Sequence, residues 1–481
     1  MDGPSPRRHP RWGSRLAALL LAGPAAACSG ETASEAGPEP PPPSESLVPG
    51  PRDVRPGAHQ RDTTEPLVLA GHATLTPSRL PVALARRVVR GEVRTWRVLD
   101  GSTARLRLVD GRGTPAAARR ALRTVARDPR ALALVPGSAM RPWVRAAVVA
   151  GVDPLRRPAA YPLRVAGPSP PTVTRLTVGG DVMLARGVTA AHPGDPTRAL
   201  RPLARRLGQA DLAVANLEST LSVAGAPTQG GDSFGAPGVL DGLRDLGLDA
   251  LSLANNHTGD FGERALLATI AAFGGSGVRA FGAGRDRRAA GRAAVLVRNG
   301  VRFGFLGFNA IGETPAAAPG VAGALSVRMP PRTGPLDRGD LRHLLGLVRD
   351  LDRRVDVVVV LPHWGTQYTH VAGPVQRAVG RRVVAAGADL VVGGHPHWVQ
   401  GLDRVGDAVL AHSLGNLVFD MDFMEQTMEG VLLEATFWGD RLVAVTLAPY
   451  RMDAGFSPRP VPGPDVLADV WRHSTGPFAL R

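Results

Sequence analysis

Lysine is absent from this 481-residue chain, so all 57 of its Lys/Arg positions are arginine, set against 42 carboxylates for a formal net charge of +15. Such a balance invites a nucleic-acid reading. Aromatic residues make up only 5% of the chain and no basic stripe is interleaved with them, so stacking platforms for single strands are missing. Heavy Ala, Gly and Pro use points instead to GC-rich coding, and nucleic acid is not expected as a partner. An arginine-rich exterior still suits an anionic polymer through long-range attraction. The single cysteine, Cys28, excludes an internal disulfide and leaves stability to apolar cores and metal. Beyond the N-terminal segment, no apolar run free of charge, Gly and Pro is long enough to span a bilayer.

What is present begins with an address. Arg7, Arg8, Arg11 and Arg15 precede an apolar run at 16–22 and the triplet Ala25-Ala26-Ala27, the pattern of a secretory signal over residues 1–27. Cys28 follows that triplet directly and resembles a bacterial lipobox cysteine, with Ala25 where Leu is usual. Lipid attachment at Cys28, export and anchoring on the outer face of the cell membrane are expected, with plain secretion as the alternative. Residues 28–62, rich in Pro, Glu, Ser and Gly, bury too little apolar surface to fold and read as a tether. Residues 63–167 form a small α/β module, with strands at 104–109 and 131–135 around a helix at 116–127. Segments 91–96 and 131–136 faintly resemble half of a phosphate-type solute-binding domain. No chemistry-bearing motif falls in this module, which leaves packing or polymer contact as its work.

After a proline-rich joint at 168–171, strand and helix patterns alternate through residues 174–455. Strands are expected at 176–178, 212–214, 250–253, 303–308, 355–361, 390–392 and 409–411, and helices at 202–207, 240–246 and 341–351. The Val run at 357–360 suits a central strand covered on both faces. Segments 430–437 and 442–448 alternate without an intervening helix and suggest antiparallel strands in a second sheet. Residues 456–481 read as a C-terminal tail.

Six segments end an apolar run with a metal-binding or proton-transferring side chain: Gly180-Asp181, Asn216-Leu217-Glu218, Asn255-Asn256-His257, His363-Trp364-Gly365, Gly394-His395-Pro396-His397 and Ser413-Leu414-Gly415-Asn416. A parallel or mixed sheet gathers ligands at its strand ends, so these residues converge on one cation site in a metal-dependent hydrolase. Taken singly, Asp181 equally suits a helix N-cap, and Glu218 a solvated acid. His395 and His397, one residue apart on an extended segment, turn to the same side as a ligand pair does, against the alternative of satisfied core histidines. Met183 reads as core filler, Trp364 and Trp398 as pocket walls, and Asn416 as either a turn cap or a lining residue.

In that order, these segments resemble the capsule-synthesis CapA family, associated with poly-γ-glutamate production and related to calcineurin-type metallophosphoesterases. The likeness covers residues 174–452 and not the N-terminal module. It implies an α/β fold of the metallophosphoesterase type, a two-sheet sandwich with flanking helices. It implies one or two divalent ions, Mn, Fe or Zn. Asp181 and His397 would hold the first, Asn256, His363 and His395 the second, and Glu218 would bridge them. His257 is then the proton donor to the leaving group, oriented by Asp260, while Arg186 and Asn416 meet substrate. Implied partners are an anionic polymer such as poly-γ-glutamate, capsule-synthesis membrane proteins, and the membrane through the lipid anchor. The sequence departs from the phosphoesterase pattern at Met183, where a His ligand is usual, and at Glu218, where Asp is usual. Gln367 replaces a frequent Glu, and His412 a usual Tyr. The implied chemistry is hydrolysis of a phosphoester or γ-glutamyl amide by metal-activated water. A non-catalytic polymer assembly or export factor is the alternative.

Overall fold

The computed structural model describes residues 63–75 and 79–479. The expected signal segment, Cys28 and the tether lie outside the described residues. The continuous apolar runs become strands of two sheets laid face to face. In the first, Arg279–Phe281, Ala250–Ser252, Leu212–Leu217 and Val173–Val182 run parallel, and Glu429–Trp438, Arg441–Met452 and Pro458–Pro460 continue antiparallel. Asn416–Val418 pairs parallel with the end of Val173–Val182. The second sheet is ordered Ala294–Arg298, Val301–Asn309, Val357–His363, Leu390–Val392, Ala408–Ala411, Leu402–Val405, with its four middle strands parallel.

Side-chain alternation decides what each face buries. Leu176, Val178, Leu212 and Val214 of the first sheet meet Phe303, Phe305, Val357, Val359 and Leu390 of the second in one core. The opposite faces are covered by helices. Leu200, Leu203, Leu207 and Leu243 pack over Ala213, Ala215 and Leu251, and Leu344, Val348, Val379 and Val383 pack over Val358, Val360 and Val391. This double covering explains why Val357–His363 is buried at every position. The result is an α/β two-sheet sandwich with flanking helices, the architecture the resemblance implies. Among the described residues no helix is long and apolar enough to cross a membrane.

Several expectations change. Alternation in the late segments suggests a separate sheet, whereas Glu429–Trp438 pairs directly along Val173–Val182, with Leu433 opposite Val178, and extends the first sheet. Periodicity reports which face is buried and carries no information on the neighbour. Beyond residue 456, strand Pro458–Pro460 lengthens that sheet, and helix Pro464–His473 buries Val466, Val470 and Trp471. Asp181 caps no helix; the next one, Arg186–Ala191, starts after Ala185.

The N-terminal module holds a sheet ordered Arg107–Asp110, Ala131–Pro136, Thr64–Gly71, Arg145–Ala146, with Arg164–Ala166 also paired to Thr64–Gly71. Helix Pro115–Val125 starts where the Thr114 hydroxyl accepts the Ala117 N–H at 3.1 Å, with proline in the first turn. Its core is continuous with that of the larger sandwich: Val68, Val135, Trp143 and Leu155 cluster with Trp438, Val443 and Val445. Polar contacts reinforce this seam. Trp438 Nε1 donates to the Leu155 carbonyl at 2.8 Å, and Glu434 accepts from Arg156 at 2.6 Å and Arg206 at 2.9 Å. Burial pushes the Glu434 carboxyl up, but the two guanidiniums outweigh it and hold it below the usual range.

Replacing Glu434 with Gln leaves Arg156 and Arg206 short of their counter-ion. Chemical denaturation of Glu434→Gln is expected to show a loss of about 1–3 kcal/mol, reduced from a fully buried pair because both arginines are partly exposed. Since the folded-state pKa is depressed, this contribution is present above the ordinary glutamate value and disappears as pH falls below it. The difference between wild type and variant should therefore shrink in acid.

Candidate metal centre

The parallel strands of both sheets end at one edge, and there the chemistry-bearing residues meet. Asp181 lies in register with Asn216 on one side and Asn416 on the other. His363 ends Val357–His363 and bridges to Gly394, which brings His395 and His397 alongside. Two glycines permit the approach: a Cβ on Gly180 would overlap the Gly415 carbonyl oxygen, and one on Gly394 would collide with Asp181 Oδ1. His395 and His397 themselves hold left-handed backbone, with φ of 91° and 58°. Such strain in non-glycine residues persists only where the surroundings impose it. Here the His395 N–H is held by Asp181 Oδ2 at 2.9 Å.

Asp181, Glu218, Asn256, His363, His395 and His397 are all buried together. Ligand atoms of Glu218, His363 and His395 lie within 4.8 Å of one another, as do those of Asp181, Glu218 and His397, so Glu218 belongs to both groups. His363 Nε2 lies 2.8 Å from Asn256 Oδ1 and 3.5 Å from Glu218 Oε1. Glu218 Oε1 and both ring nitrogens of His395 are buried with no hydrogen-bond partner. Buried polar atoms are rarely left so, and these belong to good cation ligands.

Electrostatics separates the two acids. Burial, then the neighbouring Glu218, raises the Asp181 carboxyl. Glu218 is opposed by burial too, yet His363, His397 and His257 pull it down to about 2. His363 loses by burial but gains more from Glu218 and is raised, whereas burial and the surrounding imidazoles hold His395 well below the ordinary value, neutral and able to donate a lone pair.

An amide scaffold fixes these groups, and the motif reading assigns it no role. Asn216 Nδ2 donates to Asp181 Oδ1 at 2.8 Å and lies 3.3 Å from His363 Nδ1. Asn255 Nδ2 in turn donates to Asn216 Oδ1 at 2.9 Å and to the Leu217 carbonyl at 2.7 Å. The signal for both was their place beside Glu218 and Asn256, at the same strand ends.

His257 and Asp260 form a second layer. His257 Nδ1 lies 2.8 Å from Asp260 Oδ2, which also accepts the Phe234 N–H at 2.6 Å, while Gln229 reaches Asp260 Oδ1 at 2.5 Å. With Nδ1 so engaged, His257 Nε2 faces Glu218 Oε1 at 3.9 Å, and the ring stacks on Phe234 at 4.0 Å between centroids. Arg186 lies over the same Phe234, 4.4 Å from its centroid, and pairs with Asp420 at 2.5 Å and Asp232 at 3.0 Å. Asn416 is fully buried, with Nδ2 donating to the Thr427 carbonyl at 2.9 Å and Oδ1 2.8 Å from His397 Nδ1. That assigns the proton of His397 to Nδ1 and turns Nε2 free.

Met183 packs in the core, as its sequence context suggests. Trp364, read as a pocket wall, is fully buried against Phe308 and donates to the His412 carbonyl at 3.0 Å, in the core covered by helix Pro374–Ala385.

With this geometry in place, comparison with known proteins is direct. The sequence model of the family described as "Bacterial capsule synthesis protein PGA_cap" matches residues 175–421. The chain belongs to this family. The PGA_cap region carries every residue of the centre. The capsule biosynthesis protein CapA of Bacillus anthracis is 31% identical over 224 residues, 46% of this chain and 52% of its own length. The PGA biosynthesis protein CapA of Bacillus subtilis (strain 168) is 29% identical over 194 residues, 40% of this chain and 48% of its own. The chain thus spans about half the length of these two curated relatives. Among solved structures, a phosphatase from Mycoplasma pneumoniae aligns at 13% identity and a TM-score of 0.36, over 58% of this chain and 94% of that one. No chemistry is carried over from so distant a likeness.

If Asn416 orients His397, then Asn416→Ala should weaken divalent-metal binding by about 10–100-fold, measured by titration with Mn or Zn, while far-UV circular dichroism stays as in wild type. Because His363 is raised above its ordinary value, protons should displace metal as pH falls through and below that raised value, and uptake should recover on the alkaline side.

Proposed function

We propose that this PGA_cap protein is a metal-dependent hydrolase of the cell surface, serving capsule synthesis of the poly-γ-glutamate type by cleaving a phosphoester or a γ-glutamyl amide. The observation that carries the reading is the orphaned set at the centre. Glu218 Oε1 and both His395 nitrogens are buried without partners, beside Asp181, His363 and His397. Two groups sharing one carboxylate suit one or two divalent cations, and mixed carboxylate, amide and imidazole donors accept Mn, Fe or Zn. Asp181 and His397 would hold one ion, Asn256, His363 and His395 the other, with Glu218 between them. When bound, such cations supply Lewis acidity toward a substrate oxygen and acidify water.

The chain's own residues supply the rest. Water adds to phosphorus or to the amide carbon, the bond to the leaving oxygen or nitrogen breaks, that atom takes the proton carried by His257 Nε2, and the proton released by the water returns the imidazole to its starting state. Asp260 accepts from Nδ1–H of the same ring and so keeps Nε2 turned toward Glu218. Phe234 fixes the ring plane by stacking. Arg186, held over Phe234 by Asp420 and Asp232, borders the same space and is the residue we assign to an anionic group of substrate, whereas Asn416 acts through His397. Export, a lipid anchor at Cys28 and work alongside capsule-synthesis membrane proteins belong to the same reading.

One observation favours a second reading. Met183 replaces an expected imidazole and is turned fully into the core, which leaves the first ion one nitrogen short and suits a non-catalytic assembly or export factor. Metal analysis of the purified chain, with hydrolysis assays on generic phosphodiesters and poly-γ-glutamate, separates the two. Bound metal with turnover that drops about 10²–10⁴-fold in His257→Ala, at unchanged metal content, supports the enzyme. Metal without turnover on either substrate supports the assembly factor, and a chain that takes up no divalent metal sinks both versions of the centre.

A further inference from the structure

The N-terminal module lies outside the region matched by the family and carries none of the residues of the centre. It does carry a group of arginines without ion-pair partners. Arg120 and Arg123 on helix Pro115–Val125, and Arg127 just past its cap Ala126, are exposed, and none has a carboxylate within ion-pair distance among the described residues. With Arg107, Thr124 and Asp128 they line a cleft of about 520 Å³, where the one ion pair, Arg107 to Asp128, is long at 3.8 Å.

The basic surface continues onto the seam with the sandwich. Arg404 lies over Trp143 at 4.0 Å from the ring centroid and gives its Nε–H to the Gly406 carbonyl at 2.6 Å. Arg441 donates to the Met140 carbonyl at 3.0 Å, and neither arginine has a carboxylate in ion-pair contact. Arg141 pairs with Asp407 at 3.2 Å, the one ion pair of these three guanidiniums among the described residues, while Glu65 and Asp440 act on Arg441 only at longer range. Partial burial lowers Arg404 against the pull of Asp407, with Arg141 and Arg123 adding to the fall; burial and then Arg141 lower Arg441 against Asp407, Glu65 and Asp440. Like charges held this close repel, and an anion lying along them relieves that repulsion.

We infer that the cleft on helix Pro115–Val125 and the adjoining arginine seam form a docking track for a polycarboxylate chain. The ligand class rests on the capsule-polymer reading above; the track itself rests on the arginine geometry. Every cation here is a guanidinium, whose planar fork matches a carboxylate with two parallel hydrogen bonds. The cleft offers no aromatic face for a base: the nearby Trp143 is buried beneath Arg404. Several weak, separate contacts suit a flexible polymer bearing one acid per unit, which engages many of them at once.

The test uses the full chain after chelation, so that it reads the track and not the centre. Binding of fluorescently labelled poly-γ-glutamate is followed by anisotropy for wild type, for the triple variant Arg120→Gln/Arg123→Gln/Arg127→Gln, and for a control, Arg198→Gln/Arg201→Gln, at exposed arginines on the sandwich. All these positions face solvent, and circular dichroism and metal uptake verify that the variants fold. The track predicts about tenfold weaker binding in the triple variant, little change in the control, and a shallower fall of affinity with salt. Equal binding by wild type and the triple variant, or no binding by wild type, overturns the track and leaves the metal centre to its own assay. Tighter binding of duplex DNA than of polyglutamate, lost in the same variant, overturns the polycarboxylate assignment.

Discussion

Two fully buried carboxylates facing one cleft are the constraint around which the sandwich is arranged. Asp181 and Glu218 each lose their hydration and each feels the other's charge, an arrangement that an apolar interior does not tolerate without compensating positive charge. Imidazoles answer part of the demand, and the answer is uneven: Glu218 is drawn down while Asp181 is pushed up. Groups of one type with opposite shifts mark a site whose charge is set by what enters it. The partnerless atoms on Glu218 and His395 lie at the same place, so charge and donor geometry both suit a cation there.

Holding this arrangement requires donors that add no charge of their own, which is why asparagines crowd the strand ends. Asn255 grips Asn216 Oδ1, and that fixes Asn216 with its amino group toward Asp181 and His363. Asn416 does the same for His397, with its own amide set by the Thr427 carbonyl. Each amide is oriented by a neighbour whose orientation is already determined, so the side chains are locked before a ligand arrives. The left-handed backbone at His395 is held by the same lock, its N–H donating to Asp181 Oδ2.

Much of this was legible in residue order. An apolar run ended by Asp, Glu, Asn or His marks a buried strand delivering a polar group to its end, and all six such segments arrive at one edge. What stayed hidden depends on partners far along the chain. Alternation at 430–437 reports a half-buried strand but not that Val173–Val182 is its neighbour. Trp364 follows His363 in sequence yet packs in the core beneath helix Pro374–Ala385, fully buried. Arg186 reads as a free cation until folding brings Asp420 to it across more than two hundred residues. The tail's helix finds a place for Val466 and Val470 in the shared core, against Arg441–Met452 and Glu429–Trp438 of the first sheet and Leu402–Val405 of the second.

Under the proposed function, that pairing of Arg186 bears on how an anionic polymer would be handled. A guanidinium neutralised by Asp420 and Asp232 exerts little attraction at a distance; it orients a group already present. The arginines of the N-terminal helix and seam are in the opposite condition, exposed or crowded with too few acids, and their field reaches outward. Capture and chemistry therefore make different demands on the same residue type. Capture needs unpaired charge spread over a surface, tolerant of sliding and sensitive to salt. Chemistry needs paired, immobile charge in a dry cleft, where one displaced ligand matters. In the reading proposed, placing the two on separate modules joined by a shared core would let each be met without weakening the other, and the contiguous packing of Trp143 and Leu155 with Trp438 would keep the track at a fixed place relative to the centre.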